Sequence, residues 1–310
     1  MLTFSIKPAP PFRLDLTVSA LRRLPLNAID RWDGLTYRRT LVINGSPAEV
    51  SVVQTGPVER PAISVDVDGL RDSSLNRTAV KSALERLLGL DIELAEFYAM
   101  ASAHRKLGSL ARRFIGVKPP RFSSVFEAAL NGIACQQLSL AVGIHLLNRI
   151  CAAYGPEFKQ THAFPGPSDL AGDNFKRLRG LGYSERKSRN ILKLSNEVSG
   201  GAFDIEGVSR LDDGAAMARL LEVQGVGRWT AQYVMLRGLG RLDVFPADDV
   251  GGRNKLMRWL NLKERPDYEA VRTMLEKWRP FRGIIYFLLL LDHQEREGYL
   301  KASRRHGQTS

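Results

Sequence analysis

The stretch "LLEVQGVGRWTAQYVML", residues 220–236, decides how this chain is read. Leu220, Leu221 and Val223 precede a pair of glycines, Gly225 and Gly227; Ala231, Val234 and Met235 follow them. Apolar residues at helical spacing on both sides predict two helices joined by a tight turn. The glycines belong where φ must be positive or where the backbone comes close to another group. The second helix starts at about Arg228, and the free N–H groups at its positive dipole end favour an anion. A bare G-x-G also serves as a plain helix connection with a glycine C-cap. The basic residues Arg228 and Arg237 nearby turn the balance toward a helix-hairpin-helix, a device that grips a nucleic-acid backbone without reading its sequence.

Just beyond comes "DVFPADDVGG", residues 243–252. Pro246, Gly251 and Gly252 predict a loop that leads into a new helix. Asp243, Asp248 and Asp249 are its acids. An aspartate in such a place ordinarily caps the helix. A pair in which one aspartate caps and the other projects into a cleft suits chemistry better. A carboxylate beside bound phosphate is electrostatically unfavourable, so a protein that only bound a polyanion has reason to avoid one.

The whole chain agrees with an anionic partner. Lys and Arg number 45 against 33 Asp and Glu, for a net charge of +12, and such a balance favours nucleic acid. Cys135 and Cys151 form no C-x-x-C pattern, which excludes a zinc or cluster ligand set and predicts free thiols in a reducing compartment. His104, His145, His162, His293 and His306 have no metal-ligand spacing, and His145 falls on an apolar helical stretch where a core histidine is expected. "MLTFSIKPAPPF" carries no signal-peptide pattern. The apolar run "IIYFLLLL", residues 284–291, is too short to cross a bilayer. The expectation is a cytoplasmic monomer, associated with the nucleoid if bacterial, with no membrane contact and no metal.

Residues 1–95 read as an α+β domain. "TYRRTLVI" and "AEVSVVQT" flank the turn signal "NGSP", "AISVDVDG" alternates apolar and polar, and "LDLTVSALRRL" and "RTAVKSALERLLGL" read as helices. Residues 96–300 read as helical, with the hairpin at 219–237. "SSVFEAALNGIACQQLSLAVGIHLLNRICAAYG" is a helix pair broken near Gln136–Ser139, with Ser139 as N-cap of the second. Ser184 caps another helix, and residues 214–223, 229–240 and 267–278 give three more. The tail, 301–310, is basic, polar and expected to be disordered. The fold class is therefore mostly α with an N-terminal α+β domain carrying a small antiparallel sheet.

Taken together, "LEVQGVGRWTAQYVMLRGLGRLDVFPADD" resembles the signature of the helix-hairpin-helix-GPD DNA glycosylase superfamily. "GVGRWTAQY" and "DVFPADD" resemble its alkylation-repair branch, the 3-methyladenine DNA glycosylase II (AlkA) type. The similarity extends to "NGIACQQLSLAVGIHLLNRICAAYG", "FPGPSDL" and "WRPFRGIIYFLLLL", over about residues 95–295. The N-terminal sheet is similar in kind to the TATA-binding-protein-like domain of those enzymes.

The resemblance implies a monofunctional DNA glycosylase of base excision repair. It would hydrolyse the N-glycosidic bond of alkylated purines (3-methyladenine, 7-methylguanine, hypoxanthine) in double-stranded DNA and leave an abasic site. Asp249 matches the catalytic aspartate, and Asp248 is then the cap or a structural neighbour. Trp229 and Tyr233 match aromatics of the base pocket, and Leu290 takes the place of a further pocket tryptophan. Val250 stands where a tyrosine follows the aspartate. Gly225, Val226, Gly227, Arg228 and Thr230 match the backbone-gripping hairpin, and Gln137 with Leu138 the wedge that enters the base stack. Trp229 occupies the position of the lysine nucleophile in strand-cleaving members, so no lyase activity is expected. Two cysteines cannot hold an iron–sulfur cluster, so no cofactor is expected beyond a structural monovalent cation at the hairpin. Two alternatives stand beside this reading: a non-catalytic binder of damaged DNA, and a glycosylase for oxidised purines such as 8-oxoguanine.

Overall fold

The computed structural model describes residues 2–300; the expectation for 301–310 lies outside them. Five antiparallel strands form one sheet: β1 (Leu2–Ile6), β2 (Arg31–Trp32), β3 (Thr36–Ile43), β4 (Ser46–Gln54) and β5 (Ile63–Asp68). Their order is β1-β5-β4-β3-β2. The predicted turn joins β3 to β4: Asn44 (φ 48°) and Gly45 (φ 80°) both take positive φ, as a two-residue hairpin with the right twist requires. β1 was not among the predicted strands, although Leu2 and Ile6 are buried in it while Thr3 and Ser5 are exposed. Helices α1 (Leu14–Arg22) and α2 (Ser74–Leu88) accompany the sheet.

The rest is helical: α3 (Ala95–Ser102), α4 (Arg105–Arg113), α5 (Val125–Cys135), α6 (Leu140–Tyr154), α7 (Pro167–Leu170), α8 (Phe175–Gly180), α9 (Glu185–Ser199), α10 (Asp213–Leu221), α11 (Arg228–Val234), α12 (Val250–Leu260), α13 (Tyr268–Leu275) and α14 (Arg282–Arg296). A two-residue-per-strand hairpin, β6 (Glu157–Phe158) with β7 (Thr161–His162), interrupts them. Ser139 and Ser184 cap α6 and α9 through their hydroxyls, which accept from Val142 and Lys187 N–H. The predicted helix 229–240 is α11 continued by one π-helical turn, Met235–Leu239. His145, expected in the core, is exposed on α6. Among the described residues, no helix is long and apolar enough to cross a membrane.

One apolar core joins the inner face of the sheet to α5, α6, α9, α10 and α11, and a second packs α3, α4, α12, α13 and α14. The join between sheet and helices is polar at its centre. Arg39 of β3 is 1% exposed and donates to Asp30 (2.9 Å) and to Glu127 of α5 (2.6 Å). Both carboxylates are buried as well, so three charges are removed from water together.

Candidate functional site

The hairpin is built around one glycine. Gly225 has φ 87°, and a β-carbon there would lie 2.1 Å from Asn190 Nδ2 of α9. Val226 is buried and anchors the turn. Gly227 does not take positive φ: its φ is −97°, and no atom of the chain lies within 4 Å of where a β-carbon would sit. It is the exposed N-cap of α11, whose first bond runs from Ala231 N to Gly227 O (2.9 Å). The N–H groups of Arg228, Trp229 and Thr230 precede that bond and have no partner within the helix.

Two side chains of the matched hairpin, Arg228 and Thr230, are engaged within the chain. Arg228 is ion-paired to Asp248 (Nε to Oδ2, 2.5 Å) and its guanidinium lies 3.7 Å from the ring centre of Tyr268. The Thr230 side chain is buried, and its hydroxyl accepts from Gln136 Nε2 (2.8 Å). Arg237, the second basic residue near the hairpin in sequence, is 1% exposed and donates to the carbonyls of Ala20 and Leu21 at the end of α1 (3.0 and 3.1 Å).

Gln136 also donates to Gly225 O (2.8 Å), so it fastens the α5–α6 turn to the hairpin. Lys187 of α9 closes the end of α5 by donating to Ala134 O and Gln136 O (2.8 and 2.7 Å). On this platform Gln137 takes φ 55°, uncommon for a non-glycine residue, and its side chain is exposed. Leu138 next to it is 43% exposed. Both candidate wedges therefore stand out from a rigid turn.

Asp249 is the N-cap of α12. Its Oδ1 accepts from Gly251 N (3.0 Å) and its Oδ2 from the Tyr286 hydroxyl (2.6 Å). Of the two roles expected for Asp248, cap or structural neighbour, it takes the second: Asp249 caps the helix and Asp248 holds Arg228. Asp249 itself is half-buried. Tyr286 comes from α14. Burial, reinforced by the Asp249 charge, pushes its phenol well above the usual tyrosine range, so it remains a donor. Lys255, one turn into α12, is held near Gly251 O (3.3 Å), and burial lowers its ammonium pKa against the pull of Asp249. A β-carbon on Gly251 would meet Asp249 Oδ1 and Lys255 Nζ, both at 3.3 Å.

Trp229 and Tyr233 stack with ring centres 5.6 Å apart and planes 24° apart. Tyr233 is buried, and desolvation raises its phenol pKa, with a smaller upward push from Asp249. The indole N–H of Trp229 is buried and has no acceptor among the described residues. Leu290 is buried on α14, one turn after Tyr286 and so on the same face. Val250, beside Asp249, is 50% exposed. Tyr286, Lys255, Gln136 and Arg23, which reaches Tyr233 from α1, were not found by sequence reasoning. Tyr286, Gln136 and Arg23 make their contacts across more than one element, while Lys255 bonds within its own helix; no local pattern marks any of them.

Residues 130–280 match the model of the HhH-GPD superfamily of base excision DNA repair proteins. Over 273 residues, 88% of this chain and 92% of the relative, the sequence is 25% identical to the putative DNA-3-methyladenine glycosylase YfjP of Bacillus subtilis. A solved 3-methyladenine DNA glycosylase from Archaeoglobus fulgidus is similar at TM-score 0.81 and 27% identity, covering 96% of this chain and 100% of that one. An 8-oxoguanine glycosylase/lyase of Clostridium acetobutylicum in complex with DNA matches at TM-score 0.73 and 16% identity, over 97% and 99% of the two chains. That likeness is one of fold alone.

Proposed function

From the match of residues 130–280 to the HhH-GPD superfamily of base excision DNA repair proteins, we propose that the chain is a monofunctional DNA glycosylase that removes alkylated purines from double-stranded DNA. The observation that carries this reading is the carboxylate of Asp249, held by Gly251 N–H and Tyr286 O–H beside a stacked tryptophan and tyrosine. A damaged base inside a duplex is out of reach and must be swung out, at a cost of a few kcal/mol. Gln137 or Leu138 fills the gap, and the leading amides of α11 hold the backbone. Trp229 and Tyr233 offer flat surfaces to the base. Breaking the glycosidic bond develops positive charge on the sugar; ionised Asp249 stabilises it and orients water.

The turn carries Trp229 where a Schiff-base lysine would stand, which supports hydrolysis without strand cleavage. Lys255 is an amine close to Asp249, so the test must include it. On a duplex with a single alkylated purine, wild-type protein is expected to release free base, with strand breakage only after alkali. Asp249→Asn is expected to lose at least about a hundredfold in rate; near-normal activity would sink the assignment. Borohydride should trap no covalent adduct, and an adduct that disappears in Lys255→Met would replace the monofunctional reading with a lyase. Tight binding with no base released would favour the damaged-DNA binder.

A further inference from the structure

We propose that Arg23 is a positioning and specificity residue of the base pocket: it fixes Tyr233 and, through its buried charge, favours neutral flipped bases over cationic ones. This rests on the glycosylase reading, in which the flipped base lies against Trp229 and Tyr233.

Arg23 follows α1 at φ 67° and is 6% exposed. Its backbone is fastened at both ends, with N–H donating to Ser19 O (3.0 Å) and the carbonyl accepting from Gln294 Nε2 (2.5 Å). The guanidinium reaches into the helical core. Nη1 donates to the Tyr233 hydroxyl (3.0 Å) and lies 3.9 Å from Cys135 Sγ; Nη2 donates to Asn131 Oδ1 (2.7 Å). All three partners are uncharged groups. Its carbon stands 5.4 Å from the ring centre of Phe122, and that ring is 6.1 Å from Tyr233. Arg237 approaches the same Phe122 ring at 4.8 Å and spends its donors on main-chain carbonyls. Two guanidinium groups therefore stand around Phe122 and Tyr233, and their direct hydrogen-bond partners, among the described residues, include no carboxylate.

Two effects follow. The bond from Nη1 occupies the phenol oxygen as acceptor and sets the tilt of the ring that stacks on Trp229, leaving the phenol hydrogen free to donate. Guanidinium keeps its charge at every working pH, and in a buried site that charge is poorly screened. Against the attraction of the Asp249 carboxylate, which reaches the same Tyr233 and is unchanged in an Arg23 variant, an N7-alkylated guanine enters with a positive charge and is opposed by Arg23; hypoxanthine enters neutral and is not. Arg23 thus gives residues 1–95 a part in choosing the base.

The test compares release of 7-methylguanine and hypoxanthine from otherwise identical duplexes, with kcat and KM measured for wild type, Arg23→Gln and Arg23→Lys. Arg23→Gln is expected to lower both activities while raising the 7-methylguanine to hypoxanthine ratio of kcat/KM by about tenfold. Arg23→Lys keeps the charge but not the fork that spans Tyr233 and Asn131, so kcat should fall with the ratio held within about twofold. Equal loss on both substrates in Arg23→Gln would leave only a structural role and overturn the assignment. If that variant does not fold, Arg23→Lys decides alone: a changed ratio or an unchanged kcat overturns it. Release of neither base by wild type would overturn the glycosylase reading itself, and this assignment with it; release with the wrong ratio overturns this assignment alone.

Discussion

At the scale of residues, the centre turns on how one carboxylate is shared. A capping aspartate is ordinarily a stability device. Here the same group spends one oxygen on Gly251 N–H and the other on Tyr286 O–H. The cap orients the carboxylate and α14 supplies the second hold, so the charge is preorganised. Hydrogen bonds to charged groups are worth about 1.5–3 kcal/mol. Tyr286→Phe keeps the ring packed edge-on against Phe245 (5.5 Å) and removes only the hydroxyl. Its kcat on an alkylated duplex is expected to fall about tenfold with KM nearly unchanged, as steady-state kinetics would read; a rise in KM alone would mean that the hydroxyl serves binding.

At the scale of elements, the hairpin works because α9 and the α5–α6 turn support it from below. Asn190 fills the space under Gly225, and Gln136 holds its carbonyl. Gly225→Ala meets two penalties: a positive φ that L-residues rarely adopt and a β-carbon 2.1 Å from Asn190 Nδ2. The variant should lose about 1–3 kcal/mol of stability, seen as a lower thermal midpoint, and should bind undamaged duplex more weakly. Gly227→Ala is the control: with an ordinary φ and open space above it, it should leave the thermal midpoint close to wild type. The shared Gln136 also links the α5–α6 turn to the hairpin.

At the scale of the whole molecule, the sheet is joined to the helices through buried charge. Arg39 bridges Asp30 and Glu127; Glu127 lies one turn from Asn131, which in turn holds Arg23. Removing one member of a buried ion pair leaves the others uncompensated, at a cost of about 3–5 kcal/mol. Arg39→Met is expected to lose that much in denaturant unfolding, and more than Arg39→Met combined with Glu127→Gln and Asp30→Asn, in which no buried charge is stranded. Equal losses in the two proteins would show that shape, not charge, sets the cost at this joint.

Sequence alone determined the features with a local cause. Asn44–Gly45 demanded a hairpin, the Ser139 and Ser184 caps placed two helices, and the apolar spacing around Gly225 placed α10 and α11. The pair Asp248–Asp249 was visible as well. Which of the two capped, and which held Arg228, was decided only by the packing of α12 against α14, since neighbouring aspartates carry the same chemistry in the chain. The inward turn of Arg237, the burial of Thr230 and the reach of Arg23 to Tyr233 were likewise tertiary outcomes. A basic side chain reads the same at a surface and in a core; its partners lie some two hundred residues away in sequence, and only folding brings them within hydrogen-bond distance.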